Sequence, residues 1–230
     1  ADIEVLPQEG VSFDEMTEEY NCPISHISMW DSEADEYIAL HLDPDGRVDP
    51  EEVDRHMSAH MESEKLSAEK ERDIHLRSYK SESDLLSGFL SIIENRRPDL
   101  VSGWNWVDFD WEYILGRFDQ FDDLNEHRLS DIGWISGYQT ERRVDCLPAF
   151  DMMDAYCDKM SFSEWRSTSL DYVSKSVLGA GKLPNMNIDW AYENSRDELV
   201  AYNIIDTMLC VALDRLEGVH EFFYELAELA

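Results

Sequence analysis

Hydrophobic and polar positions alternate in short runs over the first third of the chain. This alternation is typical of half-buried strands and predicts four of them, in DIEVL, PISHISMWD, DEYIALHL and DIHLRSY. The turn signal DPDG closes the third strand. Between the third and fourth strands, residues from about 50 to 70 are rich in Glu, Met and His, and they predict a helix in a solvent-exposed excursion.

Helical spacing dominates the rest of the chain. The segment SESDLLSGFLSIIENRRPD predicts a helix that begins after Ser81 and ends before Pro98. The strand DLVSGWN and the helix DWEYILGRFDQF follow, then a weakly periodic region from about 122 to 143 with room for a hairpin, then a strand and a helix in RVDCLPAFDMMDAYCDKM. Three more helices are predicted: SLDYVSKSVLG up to Gly179, a helix capped by Ser195, and GVHEFFYELAELA. This order predicts an α/β fold with a mixed central sheet flanked by helices.

The charge of the chain is extreme. Its 51 Asp and Glu residues against 19 Lys and Arg give a formal net charge of −32, yet 11% of the residues are aromatic, which argues against disorder. Such self-repulsion is screened in molar salt, where the Debye length falls to about 3 Å. The composition therefore favours a folded protein of a halophilic archaeon or its virus; an acidic mimic of nucleic acid and a partner of a basic protein stay open.

The spacing of the cysteines and the hydropathy of the chain indicate the cellular compartment of the protein. The four cysteines are scattered without C-x-x-C spacing, so we expect reduced thiols in a cytoplasmic protein. No apolar run approaches the roughly 20 residues of a membrane span, and the N-terminal residues do not have the pattern of a secretory signal. We therefore expect no membrane association.

Several acids stand in places that could carry chemistry. Asp110 lies in GWNWVDFDWEYIL, an otherwise core-like segment, where the predicted strand passes into a helix. It could be a functional carboxylate or a helix N-cap, as could Asp108. Asp2 and Glu4 lie two apart on a strand, so both side chains point to one face, although such a pair is also compatible with a solvated surface.

A second spacing occurs near the end of the chain. In YNIID, Tyr202 and Asp206 lie four apart on a predicted helix and share a face, although Tyr202 alone would suit a core position. Taken in order, DIE at residues 2–4, NWVDFD at 105–110 and YNIID at 202–206 resemble the three exonuclease motifs of the family B DNA polymerases. The intervening SESDLLSGFLSIIENRRPDLVSGWN and SLDYVSKSVLGAGK also resemble segments of that family, so the resemblance covers essentially the whole chain.

The resemblance implies an RNase H-like (DnaQ-like exonuclease) fold and a metal-dependent 3′→5′ exonuclease of the DEDDy type. Ala201 stands where the histidine type would place its histidine, which favours the tyrosine type. The expected activity is hydrolysis of the 3′-terminal phosphodiester of DNA, in proofreading during replication. The alternative is a non-catalytic structural or single-strand-guiding module of a polymerase.

The resemblance also implies roles for individual residues, with two Mg²⁺ or Mn²⁺ ions as cofactors. Asp2, Glu4 and Asp206 would hold the ion that activates water, and Asp2 and Asp110 would hold the second. Carboxylates suit this task because hard divalent cations take oxygen ligands. The remaining roles follow in the same way: Tyr202 would orient the attacking water, Lys182 would steady the phosphate, and Asn105 and Phe109 would position the terminal nucleotide.

The partners follow from the same resemblance. We expect residues 1–230 to be one exonuclease domain excised from a longer DNA polymerase, since we identify no palm, fingers or thumb segment. It would bind the single-stranded 3′ end of DNA and the remainder of the polymerase chain, and be a monomer by itself. A stand-alone exonuclease is a further alternative.

Overall fold

The computed structural model describes residues 1–60, 64–137, 142–160, 165–183 and 186–229. Within these residues the strands are β1 Asp2–Val5, β2 Ile24–Asp31, β3 Glu36–Leu42, β4 Ile74–Tyr79, β5 Val101–Gly103, β6 Ile135–Ser136, β7 Arg143–Val144 and β8 Ala149–Asp151. The α-helices are α1 Phe13–Glu19, α2 Pro50–His60, α3 Glu64–Lys70, α4 Glu82–Arg96, α5 Trp111–Phe118, α6 Leu170–Val177, α7 Ile188–Asn194, α8 Arg196–Glu217 and α9 Val219–Glu228. Two π-helical segments, Trp106–Asp110 and Asp154–Met160, and a 3₁₀ turn, Glu126–Leu129, complete the elements.

The main sheet has the order β1-β2-β3-β4 and is mixed. β1 and β3 both run antiparallel to β2, whereas β4 runs parallel to β3. β5 pairs in parallel with β8 and touches the start of β1, where the Ala1 N–H donates to the Ser102 carbonyl at 2.6 Å. The predicted mixed sheet flanked by helices is confirmed.

The two faces of the sheet differ in polarity because alternate residues of a strand point in opposite directions. One face presents Ile3, Ile27 and Leu40, which are paired in register and packed against the apolar sides of α4 and α5. The opposite face presents Ser28 and its β1 partner Asp2, both in contact with α8. The first face is therefore apolar core, while the second, polar face carries Asp2 and Ser28 beside the buried Tyr37 and Ala39.

Helix α8 crosses the polar face and buries more residues than any other described helix. Its start is fixed by a buried ion pair, in which the Arg196 Nη1 lies 2.8 Å from the Asp43 Oδ1. The same Asp43 carboxylate accepts the N–H groups of Arg47 and Val48, so the DPDG turn after β3 holds α8 against the sheet. Gly218, at φ 65°, ends the helix in the left-handed conformation that glycine favours.

The predicted exposed excursion at residues 50–70 is wrong in its exposure. The helices form as predicted, but α2 packs against α8 through the buried side chains of Val53 and Met57. Two apolar residues four apart among charged neighbours are enough to seat one face of a helix. Two ends also differ: α6 ends at Val177, two residues before Gly179, and the Ser195 hydroxyl donates to Glu198 instead of capping α8.

Most of the remaining elements agree with the sequence pattern, although the short helices α1 and α7 were not predicted. The Ser81 hydroxyl accepts the Asp84 N–H and caps α4, which ends at Arg96 before Pro98. β6 and β7 form a two-residue antiparallel ladder in the region predicted to hold a hairpin, and residues 138–141 between them lie outside the described residues. None of the described helices is both long and apolar enough to cross a membrane.

Candidate metal centre

Three carboxylates meet on the polar face of the sheet. Asp2 and Glu4 project from the same side of β1, and Asp206 faces them from the middle of α8. One oxygen from each of the three lies within 4.8 Å of the others. The strand spacing and the helix therefore bring together the acids that the sequence singled out at opposite ends of the chain.

Asp206 is fully buried and carries an unusual set of contacts. Its Oδ2 accepts a hydrogen bond from the Lys182 Nζ at 2.6 Å, and its Oδ1 has no hydrogen-bond partner in the described structure. A buried carboxylate oxygen without a partner is costly unless an ion or water completes it. Asp206 belongs to a group whose possible metal ligands are all carboxylates, which suits a hard divalent cation. The residues present thus fit Mg²⁺ or Mn²⁺.

The electrostatics of the cluster are those of crowded like charges. Burial raises the pKa of Asp206 to about 8, with Lys182 opposing the shift and Asp2 adding to it. Burial also raises the pKa of Glu4 well above its ordinary value, and the charges of Asp2 and Asp206 raise it further. Asp2 has its pKa raised by burial, against the lowering effect of Lys182. Without a cation the cluster therefore holds protons that ordinary surface acids would have lost.

Asp110 lies next to this cluster but outside the group of three. It ends the π-helical turn Trp106–Asp110, which begins after Asn105 at φ 58°. Its Oδ1 accepts the N–H of Ile3 at 3.0 Å, so the carboxylate is attached to the backbone between Asp2 and Glu4. Burial raises its pKa well above the ordinary value, and the charge of Asp2 is the next cause.

Tyr202 and Lys182 border the cluster on the side of α8. The Lys182 Nζ lies 5.6 Å from the centroid of the Tyr202 ring while it is paired with Asp206. Burial raises the pKa of Tyr202, and the charge of Asp206 raises it further, so its hydroxyl keeps its proton. Asp206 raises the pKa of Lys182 despite burial, so the ammonium stays charged.

Phe109 and Asn105 lie in the π-helical turn that carries Asp110. The Phe109 ring stacks between Tyr113, at a centroid distance of 5.7 Å, and Phe13, at 6.1 Å. Phe13 is 66% exposed, so this row of rings ends at the surface. The structure thus places Phe109 in a stack of protein rings, and Asn105 supplies the carbonyl that accepts the Phe109 N–H.

Sequence reasoning missed three polar residues behind the cluster. The Asn203 Nδ2 donates to the Asp2 Oδ2 at 2.7 Å, and the Ser28 hydroxyl contacts both the Asn203 carbonyl and Thr207. Asn203 lies within the motif YNIID and could have been questioned as a polar residue on a buried helix. Ser28 and Thr207 carry no such signal, because their contacts depend on how α8 docks on β2.

The family of the chain is identified by comparison with known protein families. Residues 1–173 match the family described as DNA polymerase family B, exonuclease domain. The chain belongs to this family. The predicted resemblance to the family B exonuclease domain is thereby confirmed at the level of the family.

The chain is also similar in sequence to individual DNA polymerases. The chain is 28% identical to the DNA-directed DNA polymerase of Escherichia phage RB69 over 228 residues, which is 93% of the chain and 25% of that polymerase. It is 29% identical over 150 residues to the DNA-directed DNA polymerase of Enterobacteria phage T4, covering 61% of the chain and 17% of the relative. A DNA polymerase catalytic subunit of Epstein-Barr virus is 27% identical over 175 residues, 66% of the chain and 17% of the relative. The chain thus spans a quarter or less of the length of these relatives.

Proposed function

We propose that this chain is a metal-dependent 3′→5′ exonuclease domain that hydrolyses the 3′-terminal phosphodiester of DNA and proofreads for a family B DNA polymerase. The observation that carries the proposal is the meeting of Asp2, Glu4 and Asp206 within 4.8 Å, with a buried Asp206 oxygen that has no partner in the described structure. Membership of the exonuclease domain family supports the same reaction.

The proposal includes an RNase H-like fold of the DEDDy type. The mixed sheet with two carboxylates on β1 and α8 across its polar face supports the fold. Tyr202 lies one helical turn before Asp206, and burial together with the charge of Asp206 raises its pKa. This proximity to the acid cluster supports the tyrosine type.

Asp2, Glu4 and Asp206 would hold one divalent cation, and Asp2 with Asp110 would hold a second. Ions bound there supply a more acidic water and neutralise charge on the phosphate. The protein's own contribution is to keep the acids converged: β1 and α8 fix three carboxylates, and the hydrogen bond from Ile3 keeps Asp110 beside them.

The side chains around the acids would handle the substrate. Tyr202 keeps its proton and can donate a hydrogen bond that orients the attacking water. Lys182 offers a cation to the phosphate, but its bond to Asp206 means that it would have to share or exchange that partner. Phe109 and Asn105 would position the terminal nucleotide, Phe109 by exposing part of its ring beside Phe13.

The test is digestion of end-labelled single-stranded DNA by the full chain with Mg²⁺ in molar KCl. We expect shortening from the 3′ end by the parent and almost none by Asp206→Ala, with Glu9→Gln, an exposed acid, as the matched control. A parent that binds the DNA without shortening it, and that does not respond to Mg²⁺, would favour the non-catalytic guide instead.

The strong negative charge leads to a proposal about the environment. The net charge of −32 supports a protein adapted to molar salt, as expected for a halophilic archaeon or its virus. We further propose that the domain is one part of a longer polymerase chain, in line with the greater length of its relatives, and that it is a monomer by itself.

A further inference from the structure

We propose that Asn203 is a positioning residue that fixes the Asp2 carboxylate in the orientation needed to bind a divalent cation. The inference rests on the proposed function, since it assigns a role to a residue behind the same cluster. It goes beyond the three motifs, whose acids and tyrosine do not include this amide.

The contact is direct and buried. The Asn203 Nδ2 donates to the Asp2 Oδ2 at 2.7 Å, and the Asn203 side chain is almost completely shielded from solvent. A buried amide N–H needs a partner, and a charged acceptor makes the bond about twice as strong as one between neutral groups. Rotation of the Asp2 carboxylate would break this bond and leave both groups unpaired. The amide therefore holds one oxygen of Asp2 in place and with it the orientation of the whole carboxylate.

Asn203 is itself held from behind. Its backbone carbonyl accepts the Ser28 hydroxyl at 2.8 Å, and Ser28 is the residue paired with Asp2 in the β1–β2 ladder. The Ser28 Oγ also lies 2.6 Å from the Thr207 Oγ1, one turn farther along α8. Asp2, Ser28 and Asn203 thus form a closed ring of contacts between the sheet and the helix.

The chemistry of the amide matters as well. Asp206 is oriented by an ammonium group, Lys182, which brings a positive charge into the cluster. The Asn203 amide is neutral, so it orients Asp2 without competing with a cation for the negative charge of the site. Residues that orient metal ligands in this way typically change metal affinity by about 10- to 100-fold when they are replaced.

The test measures Mn²⁺ binding to the full chain without DNA, from the electron paramagnetic resonance signal of free Mn²⁺ in molar KCl. Asn203→Leu keeps the shape and the backbone carbonyl but removes the donor, and we expect its Kd for Mn²⁺ to rise about 10- to 100-fold. Thr207→Val is the matched control. It removes a buried hydroxyl of the same helix that touches Ser28 but not Asp2, so its Kd should stay near that of the parent.

Cleavage provides a second readout. Asn203→Leu should digest DNA slowly at limiting Mn²⁺ and recover when Mn²⁺ is raised, because the lost orientation weakens binding of the ion and leaves the acids in place. Asn203→Ala is run beside it in case the leucine distorts the fold, which circular dichroism would reveal.

The outcomes separate the two proposals. If the parent binds Mn²⁺ and digests DNA while a folded Asn203→Leu or Asn203→Ala binds Mn²⁺ as tightly, the positioning role is wrong and the exonuclease stands. An equal loss of Mn²⁺ affinity in Thr207→Val would also overturn it, because general loosening of α8 would then explain both. A parent that binds no Mn²⁺ would overturn both proposals.

Discussion

Replacing Glu4 by Gln should stabilise the metal-free protein at neutral pH. The Glu4 carboxylate lies within 4.8 Å of those of Asp2 and Asp206, and within the described chain no side chain donates a hydrogen bond to it. Burial and these two charges raise its pKa well above the ordinary 4.5. Glutamine keeps the shape of the protonated acid and removes the charge.

The magnitude follows from the separation of the carboxylates. A like charge at that separation costs about 3.5 kcal/mol at an effective dielectric constant of 20, before Lys182 offsets part of it. The free energy of protonation sets an upper limit to this cost. A carboxyl group with an unfolded pKa of 4.5 that stays protonated in the folded state at about pH 7 destabilises the protein by at most about 3.4 kcal/mol. We expect Glu4→Gln to gain about 1–3 kcal/mol, which is a rise in Tm of roughly 3–10 °C for a chain of this size.

The stabilisation by Glu4→Gln should depend on pH. Because the folded pKa is raised, the folded state binds more protons than the unfolded state above about pH 4.5, and the parent loses stability as pH rises through this window. The difference between Glu4→Gln and the parent should therefore vanish near pH 4.5 and grow towards neutral pH. Melting curves in EDTA and molar KCl measure it, with Glu9→Gln as an exposed control that should change by less than about 0.5 kcal/mol.

Added Mg²⁺ should reduce or reverse the difference in Tm between Glu4→Gln and the parent, because the parent gains free energy of Mg²⁺ binding that the variant lacks. A Glu4→Gln protein that melts lower than the parent in EDTA at neutral pH, with a difference independent of pH, would refute the crowded carboxylate cluster.

Three further outcomes are expected. The Tm of the parent should rise as KCl goes from tenths of molar to molar, because a net charge of −32 is then screened, and a flat curve in a melting series would contradict adaptation to salt. Tyr202→Phe should bind Mn²⁺ like the parent but digest DNA about 10- to 10³-fold more slowly in single-turnover assays, and a loss of Mn²⁺ affinity would make the hydroxyl a structural partner. Asp110→Asn should melt higher than the parent in EDTA because it removes a buried charge next to Asp2 and can keep the bond to Ile3. Asp110→Ala should be less stable than Asp110→Asn by about 1 kcal/mol, and equal Tm values for these two variants would mean that the bond adds no stability.

The spacing of residues in the sequence was enough to predict which side chains of the candidate site share a face. Asp2 and Glu4 on alternate positions of a strand, and Tyr202 and Asp206 one turn apart on a helix, share faces because of the geometry of the elements themselves. That the two pairs would meet was implied only by the resemblance to the family B exonuclease motifs, because no local pattern contains it.

The structural features that the sequence did not predict depend on how distant elements pack together. The bond from Asn203 to Asp2 needs both the register of β1 on β2 and the position of α8, and neither is a property of a short segment. The burial of α2 was missed because Val53 and Met57 make a narrow apolar stripe in a charged helix. Asp110 was expected at a strand–helix junction, but the π-helical turn that aims it at Ile3 follows from tertiary contacts.

The distance along the chain between the two halves of the cluster has a consequence for synthesis. The bond between Asp2 and Asn203 joins positions 201 apart, so β1 leaves the ribosome long before α8 exists. A nascent chain that ends before Asp206 carries two of the three converging carboxylates and lacks the third. Contacts of this range form late, because a long loop must close before they form. The three-carboxylate cluster can therefore assemble only after Asp206 has been synthesised, and a shorter nascent chain lacks the complete candidate metal centre.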